Sequence, residues 1–130
     1  MIFVDTNVFM YAVGRPHHLQ SVAREFFVRS HRRQIPLCTS AEVLQELLHA
    51  YTAAERISTL EATFSLVSRY GVQVWPLEPE DVMLAQQLVA RFPTLSARDL
   101  CHLASCRRRG VKKIKTFDQT LRAVGRPKDG

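Results

Sequence analysis

The sequence predicts a three-layer α/β domain, in which helices flank a central, mostly parallel sheet of four to five short strands. Short apolar runs alternate along the chain with longer segments whose apolar residues recur at helical spacing, and this alternation is typical of parallel sheets. Hydrophobic residues make up 46% of the 130-residue chain and charged residues 23%, as in ordinary globular proteins. The length predicts a single domain over residues 1–130, with a core that needs no disulfide or metal.

Apolar runs predict the strands, and the segments between them predict helices. The first strand is followed by the short helical segment TNVFMYAV, which closes at Gly14 and Pro16. The segment HLQSVAREFFVRSHRRQ then has its apolar residues at helical spacing. Pro36 is expected at the beginning or the edge of the second strand, because proline has no backbone N–H to donate to a neighbouring strand. The predicted strands are MIFV, IPLCT, VQVW and IKTF.

The second half of the chain carries clear signals for helix ends. Ser40 is the expected N-cap of a helix, because its hydroxyl can accept from a free backbone N–H. Gly71 and Gly110 are expected to close two helices, since glycine is the usual residue just past a helix end. The predicted helices are the one that begins at Ser40, then Thr59–Tyr70, Pro79–Phe92, Ser96–Arg109 and the segment DQTLRAV.

Positive charge is concentrated near the end of the chain. The formal net charge is +6, and nine of the 18 Lys and Arg residues lie from position 107 onward. A charge run is usually a solvated face, but a basic tract in a basic protein also favours RNA or DNA. Composition alone leaves both interpretations open. The residues that would bind RNA are Arg107, Arg108, Arg109, Lys112 and Lys113.

The cysteines and the apolar runs indicate an intracellular protein. Cys38, Cys101 and Cys106 lack metal-ligand spacing, so we expect reduced, mostly buried thiols. No apolar stretch approaches the roughly 18 residues of a membrane span, and the N-terminus lacks the basic region of a signal peptide. The cytoplasm is therefore the expected location, without a membrane partner.

The first predicted strand ends at an ionisable residue, Asp5, and the fourth is followed by Asp118. If both strands are central and parallel, the two carboxylates emerge at the same edge of the sheet, where functional groups gather. A buried carboxylate is costly unless something pairs with it. Asp5 therefore either caps the helix that follows or faces a cation, and Asp118 could likewise cap the last helix.

Further acids could join them at this edge. Glu42 and Glu46 lie one turn apart on the helix from Ser40, and Asp99 lies three residues after Ser96 in a pattern that resembles a capping box. Like charges gathered at one point raise each other's pKa unless a cation neutralises them. Several carboxylates here would imply Mg²⁺ or Mn²⁺, which prefer oxygen ligands. A basic chain with an acidic metal pocket has the charge layout of a nuclease.

The stretch IFVDTNVFMYA resembles the first motif of PIN-domain ribonucleases, especially the VapC-type toxins of bacterial toxin–antitoxin pairs. TSAEVLQELLHA is similar to their second motif, LSARDLCHLAS to the third and IKTFDQTL to the fourth. The motifs stand in the family's order and span almost the whole chain. The resemblance implies a PIN-like fold and a metal-dependent endoribonuclease that leaves a 5′-phosphate and a 3′-hydroxyl.

The resemblance also implies roles for individual residues. Asp5, Asp99 and Asp118 would bind Mg²⁺ or Mn²⁺, and Glu46 would complete the catalytic acids. The choice of Glu46 over Glu42 depends on the resemblance, because the helical pattern alone does not separate them. Two neighbours would support the site: Asn7 by orienting an acid, and Thr116 by binding a water or a phosphate, although a purely structural role stays open for both.

Partners follow from the same resemblance. VapC-type toxins are neutralised by a cognate antitoxin whose C-terminal segment wraps the toxin, and they commonly form homodimers. Two alternatives stay open: a catalytically silent RNA-binding PIN-like domain, and a phosphoryl-transfer or receiver-like domain that uses Asp5 or a nearby acid as phosphate acceptor. The second alternative lacks the additional aspartate that haloacid-type phosphatases need, because Asn7 occupies that position.

Overall fold

A computed structural model of the chain describes residues 1–125. These residues form a sheet of four strands, all parallel, in the order β3-β2-β1-β4. The predicted α/β fold with a parallel sheet flanked by helices is therefore confirmed. In chain order the elements are β1 (Ile2–Val4), α1 (Thr6–Val13), α2 (Gln20–Arg32), β2 (Leu37–Ser40), α3 (Ala41–Ala53), α4 (Ile57–Arg69), β3 (Gln73–Trp75), α5 (Pro79–Leu88), α6 (Ala97–Arg108), β4 (Lys113–Lys115) and α7 (Gln119–Gly125).

The central position of β1 decides where the first acid emerges. Phe3 and Val4 are fully buried, as expected for a strand covered on both faces. Phe3 lies opposite Cys38 of β2 and Ile114 of β4. The backbone N–H just beyond β1 still donates to the carbonyl of Lys115 at 3.0 Å, so the ends of β1 and β4 stay together.

Helix ends follow the predicted capping residues. The Ser40 hydroxyl accepts from the backbone N–H of Val43 at 3.1 Å at the start of α3. Gly71 and Gly110 follow α4 and α6 with positive φ angles of 58° and 71°, where a side chain would be strained. These local signals place the acids of α3 and α6 close to the predicted positions along each helix.

Helix α5 is shorter than predicted. It ends at Leu88 rather than at Phe92, and the chain continues in tighter turns, in which the backbone N–H of Val89 donates to Gln86 and that of Arg91 donates to Leu88. Helix α4, in contrast, begins slightly earlier than predicted, at Ile57. Neither difference moves a predicted acid.

The core lies on both faces of the sheet and makes the three layers. One buried cluster joins β1 and β2 to α1–α4, and its largest members include Phe3, Phe9 and Phe27. A second cluster joins α5, α6 and α7 around Leu103 and Leu121. Burial of each large apolar side chain contributes about 1.5–3 kcal/mol. Cys38, Cys101 and Cys106 are free and buried, as predicted, and among the described residues no helix is long and apolar enough to cross a membrane.

Candidate functional site

The ends of β1 and β4 open into an acidic cleft of about 370 Å³. Its walls include the predicted acids Asp5, Glu46, Asp99 and Asp118. The sheet brings the first and last of these together, while α3 and α6 bring the other two. Glu42 does not line the cleft.

Asp5 caps a helix and lines the cleft at the same time. Its Oδ1 accepts from the backbone N–H of Thr6 at 2.8 Å, and its Oδ2 accepts from the hydroxyl of Thr116 at 2.7 Å. Burial raises the pKa of this carboxyl, the two hydrogen bonds lower it, and the nearby charges of Glu46 and Asp118 raise it further, so that the net shift is upward. The two explanations left open by the sequence are therefore compatible, since the donors hold the carboxylate without neutralising it.

A polar network fixes the Asp5 carboxylate. Thr116 is 2% exposed, and besides donating to Asp5 its hydroxyl accepts from the side-chain amide of Asn7 at 3.3 Å. The amide oxygen of Asn7 accepts from the backbone N–H of Phe117 at 3.1 Å. Asn7 and Thr116 thus tie the start of α1 to the segment after β4, and the Thr116 hydroxyl is engaged inside the protein.

Asp118 also combines a cap with a place in the cleft. Its Oδ1 accepts from the backbone N–H groups of Thr120 at 2.8 Å and Leu121 at 3.3 Å. Its own backbone N–H donates to the hydroxyl of Thr116 at 3.0 Å. These bonds fix one oxygen of the carboxylate at the first turn of α7.

Asp99 is the acid whose pKa is shifted most clearly. Ser96 caps α6 by accepting from the backbone N–H of Asp99 at 3.2 Å. Burial, followed by the charges of Asp5 and Asp118, raises the pKa of Asp99 from 3.8 to about 6. The acids therefore repel one another through the cleft, as expected of carboxylates gathered to hold a cation.

Glu46 is held by two donors that the sequence reasoning missed. Its carboxylate accepts from the hydroxyl of Thr6 and from the guanidinium of Arg98. Arg98 is the only basic side chain that lines the cleft within residues 1–125, and 49% of its side chain is exposed. Its place directly before Asp99 in the third motif was the available signal.

A buried histidine lies behind the cleft. His102 is 1% exposed and packs against the ring of Phe3, with a centroid distance of 5.1 Å. Its Nε2 is 3.9 Å from Oδ1 of Asp5, and its Nδ1 is 3.9 Å from Oε2 of Glu42. Burial lowers the pKa of His102 to about 4, so the imidazole is neutral at pH 7.

The basic residues predicted to bind RNA do not reach the cleft. Arg108 and Arg109 donate to the buried carboxylate of Asp81 at 2.6 and 3.1 Å, and Arg107 lies over the ring of Phe92. At 1.5 Å per residue, Arg107 is about 12 Å along α6 from the acid in its first turn. The last two members of the set, Lys112 and Lys113, lie at the opposite end of β4 from the cleft.

The chemistry of the acids fits a hard divalent cation, although the cleft is not closed around one. Carboxylate and hydroxyl oxygens line it, and such donors suit Mg²⁺ and Mn²⁺. Within residues 1–125, no three His, Cys, Asp or Glu side chains converge closely enough to hold a metal as they stand. Glu46 is turned to Arg98 instead. The cleft therefore holds carboxylates that repel one another, and one of them, Glu46, is bound to the guanidinium of Arg98.

Comparisons with known proteins give the chain's relatives. The family model of the PIN domain matches residues 2–127. The chain is 56% identical to Ribonuclease VapC23 of Mycobacterium tuberculosis over 126 residues, which cover 97% of this chain and 99% of that relative. It is 34% identical over 119 residues to VapC ribonuclease Mb1869c of Mycobacterium bovis, with 92% of this chain and 91% of the relative covered.

A solved structure shares the fold. The crystal structure of Mycobacterium tuberculosis VapC20, described as a sarcin-ricin loop cleaving toxin, matches with a TM-score of 0.78. The match covers 99% of this chain and 98% of that chain at 20% sequence identity. At this identity the likeness concerns the fold alone.

Proposed function

Because the chain belongs to the PIN-domain family, and within it to the VapC ribonucleases, we propose that its acidic cleft hydrolyses RNA phosphodiester bonds with a bound Mg²⁺ or Mn²⁺. The chain is an endoribonuclease, the toxin of a toxin–antitoxin pair. The metal dependence and the site residues are the proposal. The observation that supports them most is the gathering of four carboxylates in one cleft at the ends of β1 and β4.

In this proposal Asp5, Asp99 and Asp118 hold the cation, and Glu46 completes the acidic pocket. When bound, the cation supplies a Lewis acid for the phosphoryl oxygen and lowers the pKa of a water. The residues of this chain position the ligands: the hydrogen-bond donors around Asp5 and Asp118 hold both carboxylates in place before any ligand binds. Fixed ligands of this kind reduce the reorganisation that binding requires.

The first test is cleavage of labelled total RNA by the purified protein with Mg²⁺, with Mn²⁺ and with EDTA. We expect discrete fragments with either metal and none with EDTA, because the cleft without a cation has no Lewis acid to polarise the phosphate or to activate a water. Adding metal back to the EDTA sample should restore cleavage.

The matched variant for this experiment is Asp5→Asn, which keeps the shape of the side chain and removes its charge. It should fold and fail to cleave under every condition. Fragments that persist in EDTA would rule out metal dependence. Stable RNA binding without fragments in any metal, by protein shown to be free of antitoxin, would instead favour the silent RNA-binding domain.

Arg98 is our candidate for contact with an RNA phosphate inside the cleft. Its side chain is half exposed and its guanidinium is bound to Glu46, and guanidinium groups recognise phosphate well. Of the predicted tract, Arg107, Lys112 and Lys113 stay proposals for RNA contact outside the cleft. Arg108 and Arg109 are less suited to that role, since they are bound to acids of the protein.

Arg98→Gln should raise the KM for RNA about tenfold, the effect of about 1.4 kcal/mol expected for a lost charge-assisted hydrogen bond. The kcat should change little, because a phosphate contact of this kind acts equally in the ground state and the transition state. Steady-state kinetics on a short labelled RNA would measure both values. Arg32→Gln, on the exposed end of α2, is the control. An unchanged KM would limit Arg98 to neutralising Glu46.

Assembly and location are further parts of the proposal. The relatives are VapC toxins, and an antitoxin partner belongs to such a system. A homodimer is supported by apolar side chains that α5 exposes, Val82 and Met83, with Val89 just after it. The single-domain organisation over residues 1–130 and the cytoplasmic location stay proposals.

A further inference from the structure

Two buried polar atoms beside the cleft have no hydrogen-bond partner within residues 1–125: Nε2 of His102 and Oε2 of Glu42. An unpaired buried polar group costs about 1–3 kcal/mol, and such groups are rare in folded proteins. His102 is only 1% exposed, so bulk water does not compensate its nitrogen. The residues around these two atoms should therefore show why unpaired polar atoms are buried beside the cleft.

The neighbours are acids on both sides of the imidazole. Nε2 lies 3.9 Å from Asp5 Oδ1, and Nδ1 lies 3.9 Å from Glu42 Oε2. Since an N–H···O bond spans about 2.7–3.2 Å, each gap closes when the carboxylate on that side moves about 1 Å towards the ring. On α6, His102 comes one turn after Asp99, and on α3 Glu42 comes one turn before Glu46. Each helix thus gives one acid to the cleft and one polar group to the layer behind it.

We propose that Glu42 and His102 are positioning residues that hold the Asp5 carboxylate from behind, with Nε2–H of His102 donating to Asp5 Oδ1. Asp5 already accepts from the backbone of Thr6 and from the hydroxyl of Thr116. A carboxylate has about four acceptor sites, so three protein donors leave one for a cation. The inference rests on the proposed metal-dependent function, in which such outer partners orient a metal ligand.

The arrangement specifies one tautomer. A neutral imidazole carries a single N–H, and the proposal places it on Nε2. Nδ1 then carries the lone pair that faces Oε2 of Glu42, 3.9 Å away. Burial raises the pKa of the Glu42 carboxyl, which is the direction that favours an O–H donor towards this lone pair.

The contact can be tested without a metal. In metal-free, ¹⁵N-labelled full-length protein, the long-range ¹H–¹⁵N NMR spectrum should show His102 as the Nε2–H tautomer with a slowly exchanging proton. Asp5→Ala should shift this signal, and the control Glu61→Ala on the exposed face of α4 should not. An Nδ1–H tautomer, or a signal that is indifferent to Asp5→Ala, would overturn the proposal.

The functional consequence is tested by Mn²⁺ titration calorimetry and by RNA kinetics. His102→Phe keeps a ring against Phe3 but cannot donate, so Mn²⁺ affinity should fall about 10–100-fold while the KM for RNA stays unchanged. His102→Gln offers an amide N–H near the position of Nε2 and should restore most of the affinity. The control His49→Phe changes an exposed histidine on α3.

The outcomes separate this inference from the proposed function. An equal loss of Mn²⁺ affinity in His102→Phe and His102→Gln would indicate a merely structural role for His102 and overturn the proposal. Wild-type Mn²⁺ affinity in both variants would also overturn it. If His102→Phe does not fold, Glu42→Ala is the second variant, because Glu42 is partly exposed. It should still lower the affinity for Mn²⁺ about tenfold. If the wild type binds no Mn²⁺, the proposed function fails, and the NMR measurement still decides the contact.

Discussion

Asp99→Asn is expected to reduce RNA cleavage by more than about a hundredfold, because loss of a direct ligand should exceed the 10–100-fold effect typical of outer partners. The variant keeps the shape of the side chain and the cap that Ser96 provides to its backbone N–H. Single-turnover cleavage of a short labelled RNA would measure the effect. Wild-type cleavage by a folded Asp99→Asn protein would remove Asp99 from the site.

The same variant should also change how stability depends on pH. The pKa of Asp99 is raised from 3.8 to about 6, first by burial and then by the charges of Asp5 and Asp118. The folded metal-free protein therefore keeps a proton that the unfolded chain releases between those two pH values. The free energy of unfolding consequently decreases as pH rises through this window. Asp99→Asn should lack the part of that decrease that Asp99 causes, although Asp5, whose pKa is also raised, keeps its own part. The variant should therefore be more stable than the wild type at pH 7.

Urea unfolding in EDTA at pH 5 and pH 7 would measure this difference. Glu61→Gln, an exposed acid on α4, is the control and should follow the wild type. Added Mn²⁺ should stabilise the wild type at pH 7 and the Asp99→Asn variant much less, because a ligand stabilises only the state that binds it. If Asp99→Asn keeps the full pH dependence, another group causes it.

The sequence predicted the parts of this protein that local rules determine. Strand β1 is a short apolar run that meets Asp5, and a parallel sheet sends such residues to one edge. Ser40 and Ser96 cap the helices that carry the other acids. The sequence thus placed the acids along their elements, while the choice between Glu42 and Glu46 needed the resemblance to a family.

The remaining parts depend on contacts between distant segments. Helix α6 is buried continuously from Leu100 to Cys106, because it packs against both the sheet and α5. A hydropathy pattern does not predict this burial, because the segment contains polar His and Ser residues. His102 could be predicted to pack or to lie on the helix surface, and it lies in the interior. Arg98 meets Glu46 across 52 residues of sequence, and no local spacing rule predicts such a pair.

The basic residues near the end of the chain are the clearest case of contacts that the local sequence does not predict. Arg108 and Arg109 looked like a surface for RNA, yet both donate to Asp81, which is 0% exposed. Asp81 also accepts from the backbone N–H of Glu78 at 2.9 Å, within a capping box at the start of α5. Burial acts to raise the pKa of Asp81, but the Glu78 N–H and the two guanidinium groups outweigh it and lower that pKa. This cluster joins α5 to α6.

Asp81→Ala should therefore lower the free energy of unfolding by about 3 kcal/mol, from about 1 for the lost cap and about 2 for the charged hydrogen bonds. Asp81→Asn should cost less, since an amide oxygen can still accept from the Glu78 backbone. Glu80→Ala, an exposed neighbour in the same turn, is the control and should stay within about 0.5 kcal/mol. Urea unfolding at pH 7 would measure all of them.

Because none of these residues lines the cleft, cleavage by the folded fraction of Asp81→Ala should match the wild type. Arg109→Gln separates the two interpretations of the basic tract. A structural role predicts lower stability with unchanged RNA affinity, because the guanidinium is bound to Asp81 and Glu78 and lies over Trp75 at 4.7 Å. Lower RNA affinity at unchanged stability would instead show that this arginine leaves its acids to bind RNA.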